Sequence, residues 1–233
     1  MAAAARPMSG LVTHGMSAVP QEMSHDVILF DLDGTLSDPL EGVARSINFA
    51  LAHFGFDTLK ADHLAAYVGP PIDQTFSQIT GFSSGAQLNG LVARYRERYA
   101  DVGYAENVLY PGVPDALAML KSSNALMAVC TSKRKDFAEQ ILEMFGLRHY
   151  FSFVDGGETG VHKWQQIEAL RSHGKISDAS VMIGDRAVDL VAARRNALRS
   201  GGVLWGYGSY AELSNESPQY LFSSPMEWSR LVN

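Results

Sequence analysis

Asp31 and Asp33 stand two residues apart at the end of an apolar run, Val27-Ile28-Leu29-Phe30. On a regular strand both carboxylates would point to one side. Gly34 and Thr35 follow, so the chain turns directly after them. A second pair of acids closes another apolar run: Val181-Met182-Ile183-Gly184-Asp185, with Asp189 four residues on. At that spacing on the first turn of a helix, Asp189 shares a face with Asp185. Between the acidic pairs lie Thr131-Ser132-Lys133, after the run ending in Val129-Cys130, and Lys163, which opens a helix. Hydroxyls, backbone amides and lysines in such places suit phosphate oxygens. Four convergent carboxylates with no Cys or His among them suit a hard divalent cation, Mg²⁺ before zinc or copper. Taken singly, each signal also has a plain structural reading. Asp31 and Asp33 could cap amides in a turn, and Thr131 or Ser132 could start a helix. Asp185 and Asp189 could favour a helix N-terminus, and Lys163 could be a solvated charge.

The positions of these residues require an open α/β sheet. Strands are predicted at Val27–Leu32, Leu126–Thr131, Phe151–Val154, Val181–Gly184 and Gly202–Trp205. All are short apolar runs of the kind buried on both faces of a parallel sheet. Helical patterns alternate with them, as in Phe137, Ala138, Ile141, Leu142 and Phe145 with Gly146 as a stop. Pro111 and Pro114 bracket the start of a helix that runs to about Ser122. Strands alternating with helices imply a doubly wound parallel sheet. Ligands then bind at the carboxyl ends of its strands, where all four signals fall. One stretch, from about Pro39 to Leu109, shows helical periodicity and no strand. Val43, Ala44, Ile47, Ala50, Leu51 and Phe54 share one face there, and Leu88, Leu91, Val92, Tyr95 and Tyr99 share another. The expected division is an α/β core of residues 25–38 and 110–233 with a small all-helical domain, 39–109, inserted after the first strand.

Composition narrows the function. The chain has 233 residues, 19 basic against 25 acidic, for a net charge of −6. That balance argues against a sequence-independent grip on nucleic acid. The apolar runs fall short of the ~20 residues that a membrane-spanning helix needs. A lone cysteine, Cys130, forms no intrachain disulfide and fits a reducing, cytoplasmic compartment. Residues 1–24 lack the apolar core of a signal peptide and the arginines of a transit peptide, and read as a disordered leader. No G-x-G-x-x-G turn follows the first strand, which excludes a dinucleotide-binding oxidoreductase.

With these residues in view, the chain from about His25 onward resembles the haloacid dehalogenase superfamily of phosphohydrolases. Asp31-Leu32-Asp33-Gly34-Thr35 matches its first motif, Thr131 the second, Lys163 the third, and Gly184-Asp185 with Asp189 the fourth. All stand in the family's order. The resemblance implies a Rossmann-like core and makes the helical insert a type-1 cap. It implies that Asp31 is the nucleophile and Asp33 the general acid/base. Thr131, Ser132, Lys133 and Lys163 would bind the phosphate. Asp31, the Asp33 carbonyl and Asp185 would hold Mg²⁺, with Asp189 behind them or acting through water. Within the superfamily, Tyr67-Val68-Gly69-Pro70-Pro71 and Gly202-Val203-Leu204-Trp205-Gly206-Tyr207-Gly208-Ser209 resemble the phosphoglycolate phosphatase-like group. The implied partner is a small phosphomonoester, phosphoglycolate by default and a nucleoside 5′-monophosphate or pyrophosphate next. A sugar phosphomutase and a non-catalytic binding protein are the rivals. Dehalogenase relatives lack the second Asp, so Asp33 speaks against their chemistry. Trp164 follows Lys163 where relatives often carry Pro, so contacts at that rim are not carried over. A monomer suffices to cover the site, and a homodimer is compatible with it.

Overall fold

The computed structural model describes Met1, residues 25–158 and residues 160–232. The predicted leader, residues 1–24, lies outside the described residues except for Met1. Strand β1 (Ile28–Phe30) leads through a short β2 (Ser37–Asp38) into α1 (Leu40–His53), α2 (Ala61–Leu64), α3 (Ile72–Thr80) and α4 (Ala86–Asp101). The chain returns through β3 (Val108–Leu109). It then alternates: α5 (Val113–Ser122), β4 (Met127–Cys130), α6 (Lys135–Met144), β5 (Val154–Asp155), α7 (Lys163–Ser172), β6 (Val181–Gly184), α8 (Ala187–Arg195), β7 (Arg199–Val203), α9 (Tyr210–Asn215) and β8 (Tyr220–Phe222). Among the described residues, no helix is long and apolar enough to cross a membrane.

Six strands form one sheet in the order β5-β4-β1-β6-β7-β8, every neighbouring pair parallel. Alternate residues of each strand feed opposite faces. Ile28, Phe30, Met127, Val129, Val181 and Ile183 pack with α5, α6 and the 3₁₀ turn Pro225–Leu231. Val27, Leu29, Ala128, Cys130 and Met182 pack with Ile167 and Leu170 of α7 and Ala192 and Ala193 of α8. This is the doubly wound sheet expected from the alternation. The helical insert buries a cluster of its own, including Ile47, Leu51, Phe76, Leu91 and Tyr99, joined by Phe137 of α6.

Several boundaries differ from the sequence reading. The insert does not lack strands throughout: Val108 and Leu109 pair antiparallel with Asp38 and Ser37, so the two strands that enter and leave the insert form a ribbon. Two residues are too few to show a period. The strand expected at Gly202–Trp205 runs from Arg199 to Val203 instead. Its polar start, Arg199-Ser200, carries no apolar signal, but both residues are in register with β6. The strand expected at Phe151–Val154 is Val154–Asp155, because Arg148–Tyr150 forms a 3₁₀ turn that delays it. Edge strand β8 was not anticipated.

Trp228 anchors the C-terminal turn. It is fully buried, with its ring 4.7 Å from Phe30 and 5.8 Å from Trp205. Trp228→Ala is expected to cost about 3–5 kcal/mol of stability, read from denaturant unfolding.

Candidate active site

Three adjacent strands end within one residue of one another. Phe30 of β1 is in register with Val129 of β4 on one side and Ile183 of β6 on the other. Asp31 therefore leaves β1 one step before Thr131 leaves β4 and Asp185 leaves β6, and the three emerge side by side. Strand β1 stops at Phe30, and the Asp31 N–H still donates to the Ile183 carbonyl (2.9 Å). The chain then bends, so the two aspartates of the first motif take separate partners.

Lys163 stands at the centre. It is the first residue of α7 and is 2% exposed. Its ammonium lies 2.8 Å from Asp31 Oδ2 and also bonds Asp189 Oδ1. Burial works against its charge, but Asp189 and Asp31 outweigh burial and hold the amine firmly protonated. Asp31 Oδ1 accepts from the Leu32 N–H (2.8 Å). Asp189 Oδ2 accepts from the Arg186 N–H (3.1 Å), capping α8. The structural and chemical readings of Asp189 thus coexist on its two oxygens. Asp185 Oδ2 accepts from the Tyr207 N–H (2.8 Å), and Thr35 Oγ1 lies 3.4 Å from Oδ1.

One oxygen each from Asp31, Asp185 and Asp189 lie within 4.8 Å of one another, and all three side chains are buried. Three carboxylates facing one ammonium leave an excess negative charge out of water. Burial, then the charges of Asp189 and Asp31, pushes the Asp185 carboxyl well up. Burial raises Asp189 to about 6 against the opposing pull of Lys163. A divalent cation would cancel the excess, and an all-oxygen donor set suits Mg²⁺. The backbone is shaped for this crowding. Gly34 has φ +81°, and a Cβ there would fall 2.1 Å from Asp185 Oδ2. A Cβ on Gly184 would fall 2.2 Å from Asp189 Cγ.

Asp33 sits apart from the triad. Its Oδ2 lies 2.7 Å from Lys133 Nζ, while Oδ1 is buried without a hydrogen-bond partner. Burial raises its carboxyl, opposed by Lys133. Lys133 is not a surface lysine: its side chain is 8% exposed and its ammonium also donates to the Tyr99 hydroxyl of α4 (2.6 Å). Thr131 is buried, and its Oγ1 accepts from the Lys133 N–H (3.3 Å). Ser132 is exposed at the mouth of the same loop. The structure therefore brings Asp31, Asp33, Thr131, Lys133, Lys163, Asp185 and Asp189 to one end of the sheet.

Residues outside the motifs complete the surroundings. Gln166 donates from Nε2 to the Thr131 carbonyl and to Asp155 Oδ2 (both 3.2 Å). The Tyr207 phenol donates to Asp38 in the ribbon, and Asp38 Oδ1 also accepts from the Leu40 N–H at the start of α1 (2.9 Å). Arg186 pairs with Glu212 (2.9 Å) and reaches the Val68 carbonyl of the insert (3.1 Å), rather than facing solvent. Arg45 of α1 is engaged by Glu41 and Glu106. No spacing in the sequence links Tyr99 to Lys133 or Tyr207 to Asp38. Tyr99 shows only the helical period of a core residue.

Comparison with known proteins bears on this arrangement. The model of the haloacid dehalogenase-like hydrolase family matches residues 28–203. The chain belongs to that family. A 5′-nucleotidase of Pseudomonas aeruginosa is 40% identical over 197 residues, covering 83% of this chain and 89% of that protein. A phosphoglycolate phosphatase of Aquifex aeolicus is 27% identical over 219 residues, covering 89% and 96%. A haloacid dehalogenase-like hydrolase of Streptococcus pneumoniae superposes with a TM-score of 0.83 at 27% identity, covering 91% of this chain and all of that one. This family member is a phosphatase, and the phosphoglycolate phosphatase-like resemblance holds.

The charge excess sets a test. Asp185→Asn removes one buried negative charge and is expected to raise the melting temperature of the metal-free protein at neutral pH by about 2–4 °C, the shift of ~1 kcal/mol. Mg²⁺ is expected to raise the melting temperature of the wild type and not that of Asp185→Asn. The Asp185 carboxyl, raised on folding, holds its proton more tightly when folded, so its destabilisation grows as pH climbs above the ordinary carboxylate range. The wild type should therefore lose stability relative to Asp185→Asn over that range, as thermal melts at stepped pH would record.

Proposed function

We propose that this phosphatase hydrolyses a small phosphomonoester through an aspartyl-phosphate on Asp31, with a nucleoside 5′-monophosphate as its substrate. The observation that carries the mechanism is the split in the first motif. Asp31 is held by Lys163 beside the Asp185–Asp189 cluster, while Asp33, two residues on, keeps one buried oxygen unpartnered.

In this reading an Asp31 oxygen attacks phosphorus, a new P–O bond forms, and the bond to the ester oxygen breaks. Asp33, whose carboxyl burial raises toward holding a proton, protonates the departing alkoxide. The resulting Asp33 carboxylate then takes a proton from water as that water attacks the aspartyl-phosphate, releasing phosphate and restoring Asp31. Lys163 and the amides of the Thr131-Ser132-Lys133 loop face the charge on the phosphoryl oxygens. Mg²⁺, held by Asp31, Asp185 and the Asp33 carbonyl with Asp189 behind them, would neutralise carboxylate and phosphoryl charge. The insert, residues 39–109, acts as a cap that shuts water out of the first step. The substrate class is supported by the relative at 40% identity, a 5′-nucleotidase. Phosphoglycolate is the second reading, supported by relatives named phosphoglycolate phosphatases.

Phosphate release should be measured across nucleoside 5′-monophosphates, phosphoglycolate, pyrophosphate and hexose phosphates. The highest kcat/KM is expected for a nucleoside monophosphate, and a best substrate of phosphoglycolate would reverse the order of the two readings. Asp31→Asn should lower kcat on the order of 10⁴-fold or more. Activity surviving in that variant would refute the aspartyl-phosphate route.

A further inference from the structure

Lys133 joins the core to the insert at the atom where the proposed acid works. Its ammonium touches Asp33 Oδ2 (2.7 Å) and donates to the Tyr99 hydroxyl (2.6 Å). It also lies 4.7 Å from the centre of the Tyr99 ring, a cation–π contact. Tyr99 is gripped from the core a second time, by the edge of Phe137 at 5.1 Å. Tyr95, one helical turn earlier, stacks on it at 5.5 Å. The backbone of Lys133 is fixed as well: its N–H meets Thr131 Oγ1, and its carbonyl accepts from the Gly157 N–H (2.8 Å). Lys133 can therefore swing little, and its ammonium is held where Tyr99 can share it.

The consequence falls on Asp33. With Oδ2 tied to Lys133, the carboxyl cannot rotate freely, and Oδ1 is the oxygen left without a partner. That is the oxygen available to a leaving group. A lysine held only by the core would fix Asp33 whether or not the insert covered the site. A lysine that also depends on a tyrosine from α4 fixes it best when the insert is seated.

We infer that Lys133 and Tyr99 are positioning residues: together they hold Asp33 so that Oδ1 faces the ester oxygen, and they make that alignment depend on seating of the insert. The inference rests on the proposed role of Asp33 as general acid. Neither residue touches the phosphoryl group in this account. Lys133 acts through Asp33, and Tyr99 through Lys133.

The test uses two substrates of nearly equal size, phenyl phosphate and p-nitrophenyl phosphate, with the full-length protein and Mg²⁺. Phenoxide is a poor leaving group that needs a proton, and p-nitrophenoxide leaves with little help. The kcat/KM value covers only steps through cleavage of the ester bond, so the later work of Asp33 on water does not enter. Lys133→Met and Tyr99→Phe should each lower kcat/KM for phenyl phosphate more than for p-nitrophenyl phosphate, on the order of tenfold for Lys133→Met. Tyr99→Phe keeps the ring that packs on Phe137, so folding is preserved, and its effect should be smaller. Adding it to Lys133→Met should cost nothing further, because the hydroxyl works through the lysine. Lys133→Arg should restore part of the loss. Equal losses on both substrates would mean a merely structural role and overturn the inference. Asp33→Asn separates the two claims. If it shows the leaving-group bias and the Lys133 and Tyr99 variants do not, only the positioning role fails. If Asp33→Asn shows no bias, the general-acid reading itself fails.

Discussion

Three carboxylates and one ammonium share a pocket from which water is largely excluded, and the rest of the molecule answers to that imbalance. Asp31 follows β1 while Asp185 and Asp189 stand at the junction of β6 and α8, so their mutual repulsion would part the two segments if the strands did not hold them. Lys163 offsets part of it by bridging Asp31 and Asp189. Removing that lysine would leave buried charges uncompensated, which costs far more than the loss of an exposed ion pair. The remaining negative charge makes the pocket receptive to a divalent cation.

The doubly wound sheet is what makes such a cluster affordable. β1 is flanked on both sides by parallel neighbours, and its register with β4 and β6 sets three loop starts side by side. The strands are short and almost wholly buried, clamped between an α5–α6 layer and an α7–α8 layer. Rigid apolar packing beneath the loops supplies the stability that the charges above them consume. Where the loops crowd the carboxylates, side chains give way: Gly34 and Gly184 leave room that a single Cβ would take.

The helical insert is tied to this centre through polar contacts as well as through the apolar packing of Phe137. A two-stranded ribbon carries the chain out and back, with Ser37 Oγ donating to Asn107 across it (3.2 Å). Tyr207 spans from Asp185 to Asp38 in that ribbon, and Arg186, next to Asp185, reaches the Val68 carbonyl. Lys133 reaches Tyr99 from the other side. Lys133 and Arg186 stand within two residues of Thr131 and Asp185, and Tyr207 holds Asp185 through its N–H, so the insert is mechanically linked to the loops at the strand ends. Polar tethers of this kind exchange readily with water, which suits the proposed role of the insert as a cap.

The alternation of apolar runs with helical periods was enough to specify a doubly wound sheet, because burial on both faces leaves parallel strands few polar positions. The acids and lysines of the site were legible too, since chemistry at strand ends needs particular residue types at particular offsets. Lys133 and Tyr99 show the limit. Tyr99 carries the same helical period as the core residues around it, and Lys133 the same charge as any surface lysine. They meet across 34 positions of sequence, a pairing that no local pattern encodes. The polar start of β7, the two-residue ribbon and edge strand β8 were hidden for a related reason, being held by register and by neighbours rather than by their own composition. By itself the sequence determined which acids and lysines gather and at which edge of the sheet they stand. Only the tertiary structure decided which oxygen meets which amine, because those pairings depend on contacts between segments far apart in the chain.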